Sequence, residues 1–514
     1  MARTEKKHSS NSILRMVLVG LSVAGQIGWI LLLILRLILR LNRHYAWISL
    51  LTGLLSLIVV LRLYSKRTSP NMKLPWIMLI LAFPVMGLSL FLLIEMTADV
   101  GRITKRLGII RKKTEGALEQ DPEVFSALQS DALQQSRYLW QYAHSPVYAN
   151  TAVTYYGETV DALEAMKAEL EKAEKFIFME YFIIQDGTAF GQLLDILRRK
   201  ADQGVEVRVM YDDIGNIGYG NLSFARRLNA MGLQCRVFNP AVPIINLFMN
   251  HRDHRKITVI DGKVGFTGGY NLADEYFGIT KPYGHWKDTG LRLEGEGVRS
   301  LTSVFLEMWS VAGKTAEPDP NKYLSVRHSV PADGFVQPYD DDPLGPERIA
   351  ENACLNAIGA ARESLYFITP YLIITDELSR SLELAAKRGV DVRIITPGIP
   401  DKKTVYAVTR SYYSALAAQG VRIYEYTPGF CHAKMWVCDG KVAAVGTSNL
   451  DYRSLYHHFE NNVMLYGGQA VGQVQADFEA MFPQCREVTE QYRTGRSAAL
   501  RLWQCVLRLF APLM

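Results

Sequence analysis

The sequence predicts an α/β protein built from two copies of one domain and preceded by apolar segments of membrane length. Three observations lead to this expectation. One string of nineteen residues occurs twice, strand-like and helix-like segments alternate around each copy, and the first hundred residues contain three long apolar runs. Strands that alternate with helices indicate βαβ units and a largely parallel sheet. We therefore expect two α/β domains that pack through a pseudo-two-fold axis.

The repeated string is the most informative feature of the chain. It reads HRKITVIDGKVGFTGGYNL from His254 and HAKMWVCDGKVAAVGTSNL from His432, and ten of the nineteen aligned positions are identical. Each copy contains the pattern H-x-K-x4-D, then a glycine-containing turn and an asparagine. One such pattern is common by chance, whereas two copies with matched flanking residues indicate duplication of a functional element.

The segments around the two copies repeat as well. A strand-like EKFIFMEYFII is followed by a helical stretch and the strand GVEVRVMYDD, and ESLYFITPYLII is followed by a helical stretch and GVDVRIITPG. A linker rich in Pro, Asp and Lys, AGKTAEPDPNKY, separates the halves. The expected organisation is a membrane region (1–114), a connector (115–150), two domains (151–318 and 319–490) and a C-terminal tail (491–514).

Three apolar runs, 16–35, 45–61 and 74–94, lie in the predicted membrane region. A membrane-spanning helix needs about 20 apolar residues, so all three qualify by length, the second only barely. The first is too long for a signal peptide and has no evident cleavage site. Lys and Arg flank every run, so orientation is left open. The largest basic cluster follows the third run and favours a cytoplasmic body, and one run lying in the interface is an alternative.

The composition excludes several protein classes. The chain has 514 residues, 21% of them charged, and a net charge of +6, which excludes a disordered or collagen-like protein and suits an anionic partner. Its six cysteines show no repeated C-x-x-C spacing, so we expect neither disulfides nor a zinc site.

The H-x-K pattern carries the predicted chemistry. On a strand, residues two apart face the same side, so His254 projects with Lys256, and His432 with Lys434. Lysine supplies fixed positive charge and imidazole is both a nucleophile and an acid or base, a combination that suits phosphate. Two imidazoles on opposite sides of one phosphorus allow one to attack while the other protonates the leaving oxygen and deprotonates the incoming hydroxyl. This scheme needs neither metal nor cofactor.

Several further residues complete the predicted site. Asn271, Asn449 and Ser448 are expected to bind phosphate oxygens. Asp261 and Asp439 belong to the motif, but each precedes a turn sequence and is expected to fix geometry rather than touch substrate. The other histidines, His457 and His458 among them, are expected to be structural or solvated.

Together with MEYFI, MYDDIG, FTGGYNLADEY, GTSNLDYRSL and FENN, these motifs resemble the phospholipase D superfamily and, within it, the bacterial cardiolipin synthases. The resemblance implies that His254 is the nucleophile, that His432 is the acid and base, and that Glu180 and Glu460 support the pocket. It also implies transfer of a phosphatidyl group from one phosphatidylglycerol to another, with release of glycerol. The chain departs from the family pattern in offering three apolar runs instead of two and in carrying GGYN where the second half has GTSN.

The same resemblance implies a multi-pass protein of the cell membrane whose catalytic body is cytoplasmic, with phospholipids as partners and no nucleic acid. Alternatives are a phospholipase D-type hydrolase, a transphosphatidylase with another donor or alcohol acceptor, and a membrane scaffold with vestigial sites. The tail has Leu500, Trp503, Leu507 and Phe510 on one helical stripe, and it lies either on the membrane interface or docked on the body. Nothing in the sequence defines the oligomeric state.

Overall fold

The structure, a computed structural model, describes residues 45–66, 68–95, 99–114, 116–128, 130–219, 223–240, 250–313, 317, 319–494, 498–509 and 511, and five isolated positions between 21 and 32. The helices in these ranges are α1 (Tyr45–Ser65), α2 (Pro70–Ala82), α3 (Pro84–Glu95), α4 (Asp99–Thr114), α5 (Pro122–Ser126), α6 (Ser130–Ala143), α7 (Thr159–Leu170), α8 (Thr188–Asp202), α9 (Phe224–Ala230), α10 (Val298–Gly313), α11 (Asn321–Leu324), α12 (Ile349–Ala360), α13 (Asp376–Lys387), α14 (Lys403–Ala418), α15 (Tyr452–His457), α16 (Gly468–Met481), α17 (Thr489–Arg493) and α18 (Ala498–Leu509). The strands are β1 (Thr151–Tyr156), β2 (Phe176–Tyr181), β3 (Glu206–Asp212), β4 (Gln234–Phe238), β5 (Arg252–Asp253), β6 (Lys256–Ile260), β7 (Val264–Gly268), β8 (His285–Lys287), β9 (Gly290–Gly295), β10 (Phe335–Asp341), β11 (Ser364–Ile368), β12 (Asp391–Pro397), β13 (Arg422–Tyr426), β14 (Gly429–Cys431), β15 (Met435–Cys438), β16 (Val442–Gly446), β17 (His458–Tyr466) and β18 (Cys485–Glu487).

The two halves of the body form sheets with matching strand order. The first sheet runs β1-β9-β7-β6-β2-β3-β4, and the second runs β10-β17-β16-β15-β11-β12-β13 with β18 added at its end. Every strand of the first sheet therefore has a counterpart at the same place in the second. This confirms the α/β fold with duplicated domains that the repeated string predicts.

The sheets are mixed, so the expectation of a largely parallel sheet is wrong. In the first sheet only β2, β3 and β4 pair in parallel, and in the second sheet only β11, β12 and β13 do so. The other neighbouring strands of the common order are antiparallel. The physical reason lies at the Asp-Gly sequences 261–262 and 439–440. Both residues of each pair have positive φ, the backbone of a tight hairpin, so the strands on either side pair antiparallel with no helix between them.

The halves share one hydrophobic core. This cluster contains buried side chains of the first half, such as Phe178 and Phe305, together with those of the second half, such as Tyr366 and Phe478. Helix α10 of the first half also contacts β10, and α16 of the second half contacts β1. Because each half buries apolar surface against the other, the relative position of the two sheets is held by packing.

The chain remains with the first half up to α11. The ring of Tyr323 lies 5.1 Å from that of Phe176, and its hydroxyl accepts a hydrogen bond of 2.8 Å from Arg208. Strand β10, the first of the second sheet, begins at Phe335. The crossing between the halves therefore takes place after Leu324.

The second and third apolar runs form helices, and the first lies almost entirely outside the described residues. Run 45–61 lies in α1, but run 74–94 is divided between α2 and α3 at Phe83. Pro84 disfavours helical backbone at Phe83, whose φ and ψ are −134° and 73°. None of the helices within the described ranges has the length and apolarity needed to cross a bilayer.

The connector and the tail both pack on the body. In the connector, Arg111 of α4 forms ion pairs with Glu307, Asp340 and Asp342 at 2.7–3.2 Å. In the tail, α18 contacts α14, with the Arg508 guanidinium 4.0 Å from the centroid of Tyr412. Leu502, Trp503 and Val506 of α18 stay exposed, so the helix is docked through one face and presents apolar side chains on another.

Candidate active site

Each histidine of the repeated string stands just before a central strand of its own sheet. His254 precedes Lys256 and β6, and His432 precedes Lys434 and β15. All four side chains are buried. Each lysine ammonium donates a hydrogen bond to the main-chain oxygen of the histidine two residues before it. Each His and its Lys therefore lie on the same side of the strand, as the two-residue spacing predicts.

The main chain of each histidine is held by the opposite half. Strand β5 pairs in parallel with the start of β17, and β14 pairs in parallel with β8, so two short ladders cross between the halves. Beside these ladders, the His254 N–H donates to the Phe459 oxygen at 2.9 Å and the His432 N–H donates to the Lys287 oxygen at 2.7 Å. The residue after each of these carbonyls is a carboxylate, Glu460 or Asp288.

These two carboxylates orient the imidazoles across the interface. His254 Nδ1 lies 3.0 Å from both carboxylate oxygens of Glu460, and His432 Nδ1 lies 2.6 Å from Asp288 Oδ2. An ionised carboxylate only accepts hydrogen bonds, so Nδ1 of each ring carries the hydrogen and donates it. Each Nε2 is then left with a lone pair, which is the atom a nucleophile or a base needs.

The carboxylates are positioned differently in the two halves. The hydroxyls of Thr447 and Ser454 donate to Glu460 at 2.5 Å each. Gly269 occupies the place of Thr447 in the repeat, and a Cβ at Gly269 would lie 2.0 Å from Asp288 Oδ1. Asp288 therefore lies against the main chain at Gly269, whereas Glu460 accepts a hydrogen bond from the Thr447 hydroxyl. This difference accounts for glycine in GGYN at the position of threonine in GTSN.

Burial and neighbouring cations shift the pKa values of the site. Burial, followed by the charge of Lys256 and Lys434, lowers the pKa of His254 well below 6.5; burial and Lys434 lower that of His432 to about 3. Burial also lowers the pKa of Lys256 to about 7 and that of Lys434 to about 8. Before substrate binds, both imidazoles are therefore neutral at neutral pH, and the lysines are poised to gain full charge beside an anion.

Both imidazoles line one cavity of about 800 Å³ between the halves. Asn271 and Asn449 line it as well. The Asn271 side chain accepts a 3.1 Å hydrogen bond from the Ile183 N–H and donates one of 2.8 Å to the Tyr276 hydroxyl. Two neutral imidazoles and two asparagines line this space, while Lys256 and Lys434 are buried next to the histidines, outside the lining. Such a site can bind an anionic phosphate and transfer protons on both sides of it.

The two sides of the cavity differ in character. The ring of His432 is surrounded by aromatic rings, with centroid separations of 5.1 Å to Tyr276, 5.6 Å to Trp286 and 5.9 Å to Phe430. The ring of His254 lies 5.1 Å from Phe182 and 5.2 Å from a further imidazole, His458. In the repeat, His458 occupies the position of Trp286.

Comparison with known families identifies this site. The family described as "Cardiolipin synthase, PLD-like domain" matches residues 166–309 and 354–482, which contain the two copies of the repeated string. The chain belongs to this family. This confirms the resemblance drawn from the motifs, and the protein is an enzyme of the phosphatidyltransferase type.

Known proteins similar to this chain align with it over nearly their whole length. The chain is 43% identical over 463 residues to an uncharacterised protein of Streptococcus mutans, covering 88% of this chain and 99% of that protein. It is 33% identical over 501 residues to the cardiolipin synthase of Geobacillus kaustophilus, covering 94% and 98%. A crystal structure of the phosphatidylserine synthase of Haemophilus influenzae shares the fold, with a TM-score of 0.55, 14% identity and coverage of 74% and 97%.

The aspartates of the two motifs, Asp261 and Asp439, lie away from the cavity. Asp261 accepts hydrogen bonds of 2.7–2.8 Å from the N–H groups of residues 174–176, and Asp439 accepts bonds of 2.8–2.9 Å from those of residues 362–364. Each carboxylate ties its hairpin turn to the start of the neighbouring strand. They fix geometry, as the turn sequences indicated.

Other expected site residues also lie outside the cavity lining, namely Lys256, Lys434, Glu460, Ser448 and Glu180. The Ser448 hydroxyl accepts a 2.7 Å hydrogen bond from Asn462, and its expected contact with phosphate stays a prediction. Glu180 is fully buried, 3.8 Å from the Arg255 guanidinium on the far side of β6. The expected support from Glu180 is therefore indirect, through the strand that carries Lys256.

Sequence reasoning missed Asp288 and His458. Aligning HWKDTG (from His285) with HHFENN (from His457) places Asp288 opposite Glu460, so the internal repeat contained the signal for the second carboxylate. His458 has no such signal, because Trp286 stands opposite it. His458 lies next to His254 in the cavity because the start of β17 pairs with β5 of the other half.

One group in the described part of the chain has ligand atoms close enough to hold a metal ion. These are the side chains of His254, His458 and Glu460, whose ligand atoms lie within 4.8 Å of one another. The Glu460 oxygens already accept hydrogen bonds from Thr447, Ser454 and His254, which accounts for its position. We assign Glu460 the role of orienting His254.

Proposed function

We propose that this enzyme joins two phosphatidylglycerol molecules into cardiolipin and releases glycerol, through a phosphohistidine. The observation that supports this most directly is the crossed pair His254–Glu460 and His432–Asp288, which orients two imidazoles into one cavity. Curated relatives of 31–33% identity over most of the chain are named cardiolipin synthase. In this scheme the two halves, which the sequence divides at 318/319 and which the packing of Tyr323 divides after Leu324, each supply one imidazole.

In the first step, His254 Nε2 attacks the phosphorus of the donor lipid. The bond to the headgroup glycerol breaks, and His432 protonates the departing oxygen. The bound phosphodiester brings the negative charge that raises the pKa of His432 above its value in the empty cavity, so the ring can hold this proton. Lys256 and Lys434 offset the charge that gathers on the phosphoryl oxygens.

In the second step, neutral His432 removes the proton from a hydroxyl of the second lipid. That oxygen attacks the phosphohistidine, the P–N bond breaks, and His254 returns to its starting state. The same imidazole thus acts as acid and then as base, as microscopic reversibility requires.

One asymmetry favours His254 as the nucleophile. The Lys434 ammonium lies 2.7 Å from Nδ1 and 3.0 Å from Nε2 of His432, so a cation sits against that ring. The Lys256 ammonium instead lies 5.7 Å from the centroid of Phe182. An ammonium in contact with both ring nitrogens crowds the approach of His432 to phosphorus, whereas among the described contacts Lys256 makes none with the ring nitrogens of His254.

We further propose that runs 16–35, 45–61 and 74–94 anchor the enzyme in the cell membrane as a multi-pass segment, with the catalytic body on the cytoplasmic side. The support is the set of exposed apolar side chains on α1, which include Trp47, Leu50, Leu51, Leu54 and Leu61. Resistance of the protein to carbonate extraction, and protease protection of tags at either end in oriented vesicles, tests this arrangement.

The enzymatic proposal is tested with purified full-length protein and phosphatidylglycerol in mixed micelles, with products identified by mass spectrometry. Cardiolipin and glycerol in equal amounts support it. Phosphatidic acid alone indicates a hydrolase, and no product indicates a scaffold. The single variants His254→Ala and His432→Ala must each lose turnover, and full activity in either contradicts the two-histidine scheme.

The roles of the histidines are separated by trapping. A donor whose leaving group departs without protonation, such as phosphatidyl-p-nitrophenol, lets the first step proceed in His432→Asn. The phosphohistidine then has no base to activate an alcohol, so a phosphatidyl adduct should accumulate on the peptide that contains His254. An adduct on His432 in His254→Asn, with none in the first variant, reverses the assignment.

A further inference from the structure

Arg255, the middle residue of the first H-x-K motif, joins that motif to the second half of the chain. Successive residues of a strand face opposite sides, so Arg255 points away from the side on which His254 lies. Its fully buried guanidinium lies 3.0 Å from Asp340 Oδ2, and its Nε donates a 3.4 Å hydrogen bond to the main-chain oxygen of Glu460. The same guanidinium lies 5.4 Å from the ring centroid of Phe459. Arg255 therefore contacts both β10 and β17 of the other half.

Two of these contacts of Arg255 are with the residues that hold His254. The His254 N–H donates to the Phe459 oxygen at 2.9 Å, and His254 Nδ1 lies 3.0 Å from the Glu460 carboxylate. Arg255 contacts the ring of Phe459 and the main chain of Glu460. Because the main chain of Glu460 carries its carboxylate, a shift of Arg255 changes the position of the group that orients the imidazole.

The second H-x-K motif has an alanine at the place of this arginine. Ala433 stands between His432 and Lys434, and it is fully buried. A methyl group can form neither an ion pair nor a hydrogen bond. The support that Arg255 gives is therefore confined to His254, the histidine proposed to attack phosphorus.

The ion pairs of Arg255 continue into the connector helix α4. Arg111 of this helix lies 3.2 Å from Asp340 Oδ2, the same oxygen that pairs with Arg255. Arg111 also pairs with Glu307 at 3.0 Å and with Asp342 at 2.7 Å. The side chains of these three carboxylates are at most 14% exposed. Carboxylates this deeply buried depend on their cations, because an uncompensated buried charge is costly.

Removal of Arg111 changes the charge balance around Arg255. The carboxylates of Glu307 and Asp340 attract the charge of Arg255 as well as that of Arg111. Without Arg111, their uncompensated charge draws Arg255 toward them and away from the Glu460 oxygen. The 3.4 Å bond to this oxygen is longer than the ion pairs and is therefore the first to break.

Resting on the proposed roles of His254 and Glu460, we infer that Arg111 is a positioning residue for His254. It acts through Asp340 and Arg255, and it lies outside the cavity lining. Helix α4 follows the apolar helices α1, α2 and α3 along the chain, so its docking joins the N-terminal segment to the catalytic motif. Full activity therefore requires the docked connector in addition to the two domains.

The test measures the consumption of phosphatidylglycerol in mixed micelles by the purified full-length protein. Wild type is compared with Arg111→Gln, Arg111→Lys and Arg292→Gln, and the melting temperature of each is recorded. Arg292 is the matched control, since it pairs with two carboxylates, Glu169 and Glu294, at 2.8 Å each. It lies on β9, outside the cavity lining and outside the ion pairs of Arg111.

We expect Arg111→Gln to lower kcat roughly 5- to 30-fold with little change in KM, because a misplaced orienting group costs catalysis and leaves lipid binding intact. Arg111→Lys keeps the charge and should lose less. Arg292→Gln should keep its kcat even where its melting temperature falls. An unchanged kcat in Arg111→Gln overturns the inference, and so does an equal loss in Arg292→Gln.

A double-mutant cycle with Glu460→Gln separates positioning from a general structural role. If Arg111 acts through Glu460, Arg111→Gln should cost little further kcat once Glu460→Gln has altered the contact with His254. The same fold-loss in both backgrounds overturns the inference. If Arg111→Gln does not fold, Asp340→Asn removes the shared carboxylate and takes its place in the cycle. A wild-type enzyme that forms phosphatidic acid but no cardiolipin refutes the proposed function instead, since consumption of the donor still reports on His254.

Discussion

His432 Nδ1 lies 2.6 Å from Oδ2 of Asp288, a residue of the other half of the chain. Asp288 is fully buried, and burial opposes its ionisation, yet the charge of Lys434 and the contact with His432 hold its pKa below its usual value. The carboxylate is therefore charged when His432 acts. Each half supplies the carboxylate that orients the histidine of the other half. Neither half by itself therefore contains an oriented imidazole.

Asp288→Asn should lower kcat by about 10²- to 10⁴-fold with little change in KM. An amide can donate a hydrogen to Nδ1, which then carries the lone pair and turns the wrong tautomer toward the substrate. The measurement is cardiolipin formation under saturating phosphatidylglycerol. Glu460→Gln is the matched variant on the His254 side and should behave alike, since it alters the same contact. A loss of less than threefold in Asp288→Asn contradicts this role.

Gly269→Ala should reduce turnover through Asp288. The added Cβ would lie 2.0 Å from Asp288 Oδ1, so the carboxylate has to move away from His432. We expect a loss in kcat of about tenfold or more, because a misplaced orienting group costs catalysis steeply. Gly191→Ala, on the open side of α8, is the control and should leave kcat unchanged. Equal activity of the two variants would show that Asp288 tolerates displacement.

The pH profile of kcat/KM should fall on both sides of neutrality. The pKa of Lys256 is lowered to about 7 and that of Lys434 to about 8, so the free enzyme loses positive charge as pH rises through this range. His254 must be neutral to attack, and burial lowers its pKa well below 6.5, so the acid limb should lie below the ordinary imidazole range. Bound phosphate favours the charged lysines, and the alkaline limb of kcat should therefore lie at higher pH than that of kcat/KM. Coincident alkaline limbs would contradict a phosphate-binding role for the lysines.

Asp261→Ala should affect stability more than chemistry. The change leaves three N–H groups of residues 174–176 without their partner and puts alanine at a φ of 54°. The buried Phe176 N–H, left unpaired, costs about 1–3 kcal/mol, and the part-buried N–H groups of Glu174 and Lys175 cost less, so we expect a clearly lower apparent melting temperature. Asp261→Asn keeps a residue that tolerates positive φ and should retain more stability. If Asp261→Asn abolished turnover at an unchanged melting temperature, the aspartate would be catalytic after all.

Much of this architecture could be predicted because the chain repeats itself. Matched letters from His254 and His432 indicate two equivalent domains, and a period of two places each histidine with its lysine on one side of a strand. Local turn chemistry also indicated that Asp261 and Asp439 hold hairpins. These features depend on residues near one another in the sequence, where spacing determines geometry.

The sequence alone determined the duplication, the identity of the two imidazoles and the phosphate chemistry they can perform. Only the tertiary structure decided that Glu460 orients His254 and that Asp288 orients His432. The reason is physical: these contacts form between halves separated by more than a hundred residues, where two sheets share one core and their short strands cross. No local pattern encodes which face of one half meets the other, because that is set by the burial of apolar surface between them.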